Sequence, residues 1–435
     1  MTIEDRVRQT LSEAASRIDV VESAAVSRPP HRQPRAAWAF AMGVCAVAAL
    51  GLAVGLLPGG SGPTPQIPPP ALDTSDSLAL EWRPLEVLPT DYVMGPFAHA
   101  SKRSLALASR YQGVAGDEAR RVFVSDDGFS WSELESSGLP AVVTVDGLGG
   151  HAGGFVAWGL YAGEGYTVTT KDQPSNFPEP AVWTSADGAD WQMTPLPTPP
   201  RSQALSDSVS YGVSSVAVDE TGGVAVGIEF DESQPTVDGE QIVPSRQIMW
   251  ESTRGGDWSL VDTSGMGDPT AVASGPAGAV VTILVEDTVT VWIREGASWR
   301  EAAMVPTSDH FPELVANRVG YVLRTSSGVW FSADAREWTS VGAPFGSISA
   351  GLDSFVALGA SRDGNLVSWS GDGIDWTIIG SEGEFGVEDM AWISYATATD
   401  NAVVIAGQTE GTGMFREGSE GYVAIGTRGA LASSG

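Results

Sequence analysis

One phrase recurs along the chain: Ser-x-Asp-Gly, two further residues, then Trp. It stands at Ser125–Trp131, Ser185–Trp191 and Ser370–Trp376, and again at Ser332–Trp338 with Ala335 in place of the Gly. Weaker copies, keeping little beyond a Gly and the Trp, end at Trp258 and Trp299. A β-branched or aromatic run precedes each copy, such as Val122-Phe123-Val124, and a second run follows, such as Trp376-Thr377-Ile378-Ile379. Two such runs around Asp-Gly predict a β-hairpin. Gly accepts the positive φ of the turn, and Ser and Asp side chains accept hydrogen bonds from its N–H groups. The Trp is expected to open the second strand and supply a large packing area.

Two more β runs lie upstream of each hairpin, as in Val213–Val218 followed by Gly223–Gly227. Each unit therefore holds four strands, A to D, and a radial array of such units is a β-propeller. The Trp positions 258, 299, 338 and 376 step by about 40 residues, the usual blade length. After Trp376 come an A–B pair, Met390–Tyr395 and Ala402–Ala406, and a C-like run, Tyr422–Gly426, with no D run behind it. Leu80–Val87, with Trp82 in the repeat position, fits the missing D strand. The sequence thus predicts an all-β, seven-bladed propeller whose N-terminal strand closes the last blade and removes the open edge. Pro84 suits an outer strand.

The phrase resembles the Asp-box of bacterial sialidases and related BNR-repeat propellers, Ser-x-Asp-x-Gly-x-x-Trp, shortened by one residue. The resemblance rests on Ser125, Asp127 and Trp131; Ser185, Asp187 and Trp191; Ser332, Asp334 and Trp338; and Ser370, Asp372 and Trp376. It implies a structural turn between strands C and D, on the face opposite that family's active site. It speaks to architecture rather than activity. Sialidases hold a substrate carboxylate with three Arg and use a Tyr–Glu nucleophile and an Asp acid. No Arg-Ile-Pro sequence stands near the first blade, where that family keeps its first Arg. Arg110, Arg121, Arg246, Arg318 and Arg324 are not assigned to one site by the sequence.

The N-terminal part reads differently. Residues 1–36 form a cytosolic segment: an amphipathic helix with Ile3, Val7, Leu11, Ala14, Ile18 and Val21 at helical spacing, then a basic, Pro-rich stretch. The helix is either a plain solvated helix or a docking element for a cytosolic partner. Its start is similar to cytosolic segments of actinobacterial membrane proteins. Residues 37–57 run 21 residues without a charge, enough at about 1.5 Å per residue to cross a bilayer core. Arg28, Arg32 and Arg35 flank only the N-terminal side, which predicts a single-pass span with the N-terminus in the cytoplasm. A cleaved signal peptide is the alternative, disfavoured by the length of the apolar run and the acids before it. Residues 58–75 are a Pro/Gly/Ser-rich linker, and 76–435 the extracytoplasmic propeller.

Charge follows this partition. The first 36 residues carry six Arg against five acids, leaving 18 basic and 49 acidic residues for the rest. Such acidity argues against nucleic acid as a partner. A single Cys, Cys45, excludes an internal disulfide. His99, His151 and His310 lack metal-ligand spacing, so no metal or other cofactor is expected.

Two blades are longer than the rest. The extra residues, Leu160–Pro180 and Glu229–Arg246, fall between strands B and C, on the face opposite the C–D turns. Long loops on a rigid scaffold are often functional. The first offers Tyr161, Glu164, Tyr166, Lys171, Asp172, Asn176 and Phe177; the second Glu229, Phe230, Asp231, Glu232, Asp238 and Glu240. The aromatics suit stacking on a sugar or a partner side chain. The acids are oxygen ligands of the kind Ca²⁺ takes, but their spacing matches no defined calcium loop. The expected function is non-catalytic binding of an envelope glycan or protein at the cell surface; the alternative is a sialidase-like surface glycoside hydrolase.

Overall fold

The computed structural model describes residues 80–85, 92–100, 103–110, 120–134, 139, 142–162, 178–199, 209–231, 245–254, 257–307, 312–342, 346–361, 364–386, 390–399, 402–409 and 421–428. The predicted cytosolic segment, membrane span and linker lie outside these residues.

Every described element is a strand. After β1 (Leu80–Pro84), the first blade is β2 (Tyr92–Ala100), β3 (Arg103–Arg110), β4 (Arg120–Ser125) and β5 (Ser132–Glu133). The second is β6 (Val142–His151), β7 (Gly154–Tyr161), β8 (Glu179–Ser185) and β9 (Gln192–Pro195). The third is β10 (Val209–Asp219), β11 (Gly222–Asp231), β12 (Ser245–Thr253) and β13 (Trp258–Leu260). The fourth is β14 (Asp268–Gly275), β15 (Gly278–Val285), β16 (Thr288–Glu295) and β17 (Ser298–Pro306). The fifth is β18 (Glu313–Ala316), β19 (Tyr321–Thr325), β20 (Gly328–Ser332) and β21 (Thr339–Val341). The sixth is β22 (Ser347–Ala350), β23 (Phe355–Ser361), β24 (Gly364–Ser370) and β25 (Thr377–Ser381). The seventh is β26 (Met390–Ala398), β27 (Ala402–Thr409), β28 (Gly421–Arg428) and, from the other end of the chain, β1.

Seven four-stranded antiparallel sheets thus form a closed ring, with each blade's first strand innermost and touching the first strands of its neighbours. The predicted closure is present. Trp82 pairs with Gly426 and Leu80 with Arg428, while Leu85 N–H extends the ladder to Val423 O at 2.8 Å. Trp82 also donates from Nε1 to Ile379 O of the sixth blade at 3.1 Å and meets Phe385 edge-on at 4.8 Å.

Both faces of a blade are covered by neighbours, so its second strand has no polar face. In β27 all residues from Ala402 to Gln408 are buried. Seven apolar clusters fill the seven gaps between blades; Leu107, Val122, Phe155 and Trp183 fill one, and Ala225, Ile248 and Trp250 with Val182 and Tyr211 another. Outer strands are wet on one side or both, as along β17. Polar clamps cross the same gaps. Arg294, 8% exposed, reaches from β16 to Asp219 at 3.1 Å and to Thr221, both at the inner turn of the third blade. The Tyr321 hydroxyl donates to Gly278 O at 2.8 Å and accepts from Ala277 N–H at 3.0 Å, and burial first of all pushes its pKa up to about 12.

The repeated phrase forms one turn four times. Ser125 Oγ accepts from Gly128 N–H at 2.9 Å, Asp127 Oδ1 accepts from Phe129 and Ser130 N–H at 2.7 Å each, and Trp131 Nε1 donates to Gly128 O at 3.3 Å. Asp187, Asp334 and Asp372 make the same pair of backbone contacts, and Trp191, Trp338 and Trp376 the same return bond. One expectation is corrected here. These four Trp do not open the fourth strand but stand one residue before it, because the indole folds back to cap the turn's own carbonyl. Trp258 and Trp299, which lack the Ser–Asp pair, do lie within their strands β13 and β17.

Gly373 has φ +78°, and a Cβ there would strike the Phe331 ring. Ala335 takes the equivalent position at φ 62° because its methyl finds room in the cluster between the fourth and fifth blades. Gly373→Ala is therefore expected to cost about 2–3 kcal/mol, positive-φ strain plus overpacking. Ala335→Gly should change stability by less than about 1 kcal/mol, strain relief offsetting the added unfolded-state freedom. Denaturant melts of the two variants check both values.

These turns also set acid sensitivity. At Asp127 partial burial opposes ionisation but is outweighed by the N–H groups of Ser130 and Phe129 and the Ser hydroxyls, which hold its pKa down at about 2. Asp187, Asp334 and Asp372 are lowered too. A carboxyl lowered on folding adds stability above its unfolded pKa of about 3.9, and that stability disappears as pH falls through the folded value. Melting temperature should therefore drop between about pH 4 and pH 2, and the fourfold Asp→Asn variant should lose much of that slope.

Candidate functional site

Strands alternate in direction, so the A–B and C–D turns share one face of the ring and the B–C connections the other. Most of the sequence-predicted site lies in those connections. Glu164, Tyr166, Lys171, Asp172, Asn176, Phe177, Glu232, Asp238 and Glu240 lie outside the described residues. The structure places Tyr161, Phe230 and Asp231 in strands rather than loops, a second correction. β7 and β11 run to Tyr161 and Asp231, because Tyr161 still pairs with Glu179 of β8, Phe230 with Ser245 of β12 and Asp231 with Val209 of β10.

Both long connections are clasped at the base. Tyr161 hydroxyl donates to Glu179 Oε2 at 2.6 Å, and these two residues are direct cross-strand partners. Arg246 Nη2 meets Glu229 Oε2 at 3.2 Å, again between direct partners. Phe230 is half-buried and lies over Gly212 of the innermost strand. The two clasped bases belong to adjacent blades and open on the same face.

The arginines left unassigned by the sequence are spread around the ring. Arg121 pairs with Glu133 at 2.9 Å and sits over the Tyr92 ring, its centre 4.8 Å away. Arg318 pairs with Asp353 at the A–B face. The seven innermost strands contain no arginine at all. Arg324 lies on β19, the second strand of the fifth blade, near its B–C end. Its Nε contacts Glu313 Oε2 at 2.9 Å, Glu313 being the first residue of innermost strand β18. Burial pushes the Glu313 carboxyl up, against the pull of Arg324. Glu313 is a group the sequence reading missed; its signal is an acid opening an otherwise apolar inner strand, Glu313-Leu314-Val315-Ala316.

His99 and His151 lie at the opposite face, and His310 lies outside the described residues. His99 Nδ1 is 2.9 Å from Ser104 Oγ, and His151 Nδ1 accepts from Gly153 N–H at 3.1 Å, with burial lowering the His151 pKa. Among the described residues no group of three or more His, Cys, Asp or Glu is placed to hold a metal ion.

No family model matches the chain, and no curated protein matches it in sequence. Several solved structures share its shape in part. A Dyadobacter fermentans protein of unknown function is 12% identical, covering 80% of this chain and 99% of that one, with a TM-score of 0.38. The β-propeller domain of the Pyrococcus furiosus Trilobed protease is 10% identical over 76% of this chain and 95% of its own, with a TM-score of 0.42. Pyrococcus horikoshii acylaminoacyl peptidase is 8% identical over 78% of this chain but only 52% of its own, with a TM-score of 0.44. Such likeness assigns no activity to this chain.

Proposed function

We propose that the chain is a membrane-anchored, extracytoplasmic propeller that binds an envelope glycan or protein without catalysis. The observation that carries this reading is the pair of clasped strand ends on adjacent blades, Tyr161–Glu179 and Glu229–Arg246, both on one face and each the base of a long connection. A clasp separates loop from scaffold, so the loop can vary or grip a ligand without disturbing the blade. The absence of arginine from the innermost strands favours binding over carboxylate-directed glycoside hydrolysis of the sialidase type, and the four capped turns serve the scaffold in either case.

The anchor is part of the proposal and rests on the apolar run 37–57 with its one-sided arginines. β1 enters the ring at Leu80, paired with Arg428, on the face of the C–D turns. The chain thus enters the ring on the face opposite the clasped strand ends. On this reading, protease added to intact cells digests the propeller and leaves the N-terminal segment protected.

The binding test replaces residues 163–177 with a short turn, keeping Tyr161 and Glu179. Capture of envelope glycan or protein should be lost while the melting temperature moves by no more than a few degrees. Unchanged capture overturns the assignment to this loop, and turnover of any fluorogenic glycoside by the wild-type chain overturns the non-catalytic reading.

A further inference from the structure

A partly exposed ion pair lies away from the two clasped strand ends, between the fifth and sixth blades. Glu313 Oε2 accepts from Arg324 Nε at 2.9 Å and from Ile348 N–H at 3.3 Å. The second bond fixes where the carboxylate is. Gly351 N–H closes the β22–β23 hairpin onto Ser354 O at 2.8 Å, so strand alternation turns the Ile348 N–H away from β23. It therefore points off the free edge of an innermost strand, the edge that looks onto the ring axis. Solvent reaches both groups, with side-chain exposures of 23% for Arg324 and 31% for Glu313.

Both described contacts use Oε2, and the guanidinium uses only Nε. Glu313 Oε1 and both Arg324 Nη atoms have no partner among the described residues. The pair thus presents an unused carboxylate oxygen beside an unused two-nitrogen fork. Two parallel N–H donors match a carboxylate. The free oxygen of a partly desolvated acid matches an ammonium. The strongly negative propeller repels polyanions, but a ligand end carrying both charges is neutral and escapes that repulsion.

We infer that Glu313 and Arg324 form a recognition subsite for a zwitterionic α-amino-acid group, carboxylate on the Arg324 fork and ammonium on Glu313 Oε1. This rests on the reading of the domain as a binding module but not on its loops.

The test uses the full chain in detergent micelles. Glycine and both hands of alanine, serine, glutamate and phenylalanine are titrated by calorimetry and ligand-observed NMR, with propionate and alaninamide as half-ligands. At least one amino acid should bind in the millimolar range or tighter, and each half-ligand about tenfold or more weaker, as expected for losing one charged hydrogen-bonding partner. Arg324→Met should abolish binding. Arg324→Lys keeps the charge facing Glu313, so it should keep the fold, yet lose about tenfold in affinity for want of the fork. Glu313→Gln should weaken binding of the amino acid but not that of propionate. No binding by any panel member, equal binding of the half-ligands, or wild-type affinity in Arg324→Lys each overturns the subsite. The 163–177 replacement should bind the amino acid normally, so failure here and failure of the loop assignment read out separately.

Discussion

Deleting Leu80–Pro84 is expected to make the propeller aggregate. The five residues pair with β28 from Arg428 to Ala424 and bring Trp82 against Phe385, Gly380 and Gly426. Without them β28 becomes an unpaired edge of eight residues, Gly421–Arg428, most of them buried in the intact ring. An apolar edge of that length is a template for pairing with another chain. Size-exclusion chromatography with light scattering should show loss of monomer, and a synthetic peptide spanning residues 76–88 should restore part of it by supplying the strand in trans. The milder Trp82→Ala, at a half-buried position, should keep the ring closed but cost about 2–3 kcal/mol. An unaltered monomer after the deletion, with an unaltered melting temperature, would refute closure by this strand.

Trp250→Ala should be the most damaging single substitution in the third blade. Trp250 is fully buried on β12, packs with Tyr211 of its own blade against Val182 and Leu196 of the second blade, and donates from Nε1 to Pro197 O at 2.7 Å. Gly227 on the neighbouring strand leaves room for its ring; a Cβ there would come within 2.9 Å of it. Truncation removes the apolar area, opens a cavity between rigid blades and strands the Pro197 carbonyl, for a loss of about 3–5 kcal/mol. Trp250→Phe keeps most of the volume and should lose roughly half as much. Chemical denaturation separates the two, and equal losses would assign the effect to the hydrogen bond alone.

The sequence made the ring legible because each blade ends its third strand in the same place. The Trp at 131, 191, 258, 299, 338 and 376 counted six blades, and Trp82 with its missing partner counted the seventh. Strand ends were less legible. The bases at Tyr161–Glu179 and Glu229–Arg246 looked like loop because polar residues in a strand extension resemble polar residues in a loop; only the register distinguishes them. The turn Trp stands one residue before its expected place, since its bond back to Gly128 O or Gly188 O is a property of the folded turn. Clamps such as Arg294–Asp219 and Tyr321–Gly278 join residues 75 and 43 apart, and no local pattern signals such pairs. Glu313 and Arg324 are only 11 apart, but their pairing needs the register of a short hairpin, and the axial position needs Ile348 of the next blade.

The bond between Thr427 and Glu81 spans 346 residues of sequence. While the polypeptide is still emerging from the ribosome, β1 has no mate, and blades one to six can stack only as an open arc. Biogenesis therefore has a late committing step, the arrival of residues 421–428, before which a newly made chain depends on chaperones to shield its edges. A translation pause placed before codon 421 should lengthen that vulnerable interval and raise degradation without any change in the finished molecule.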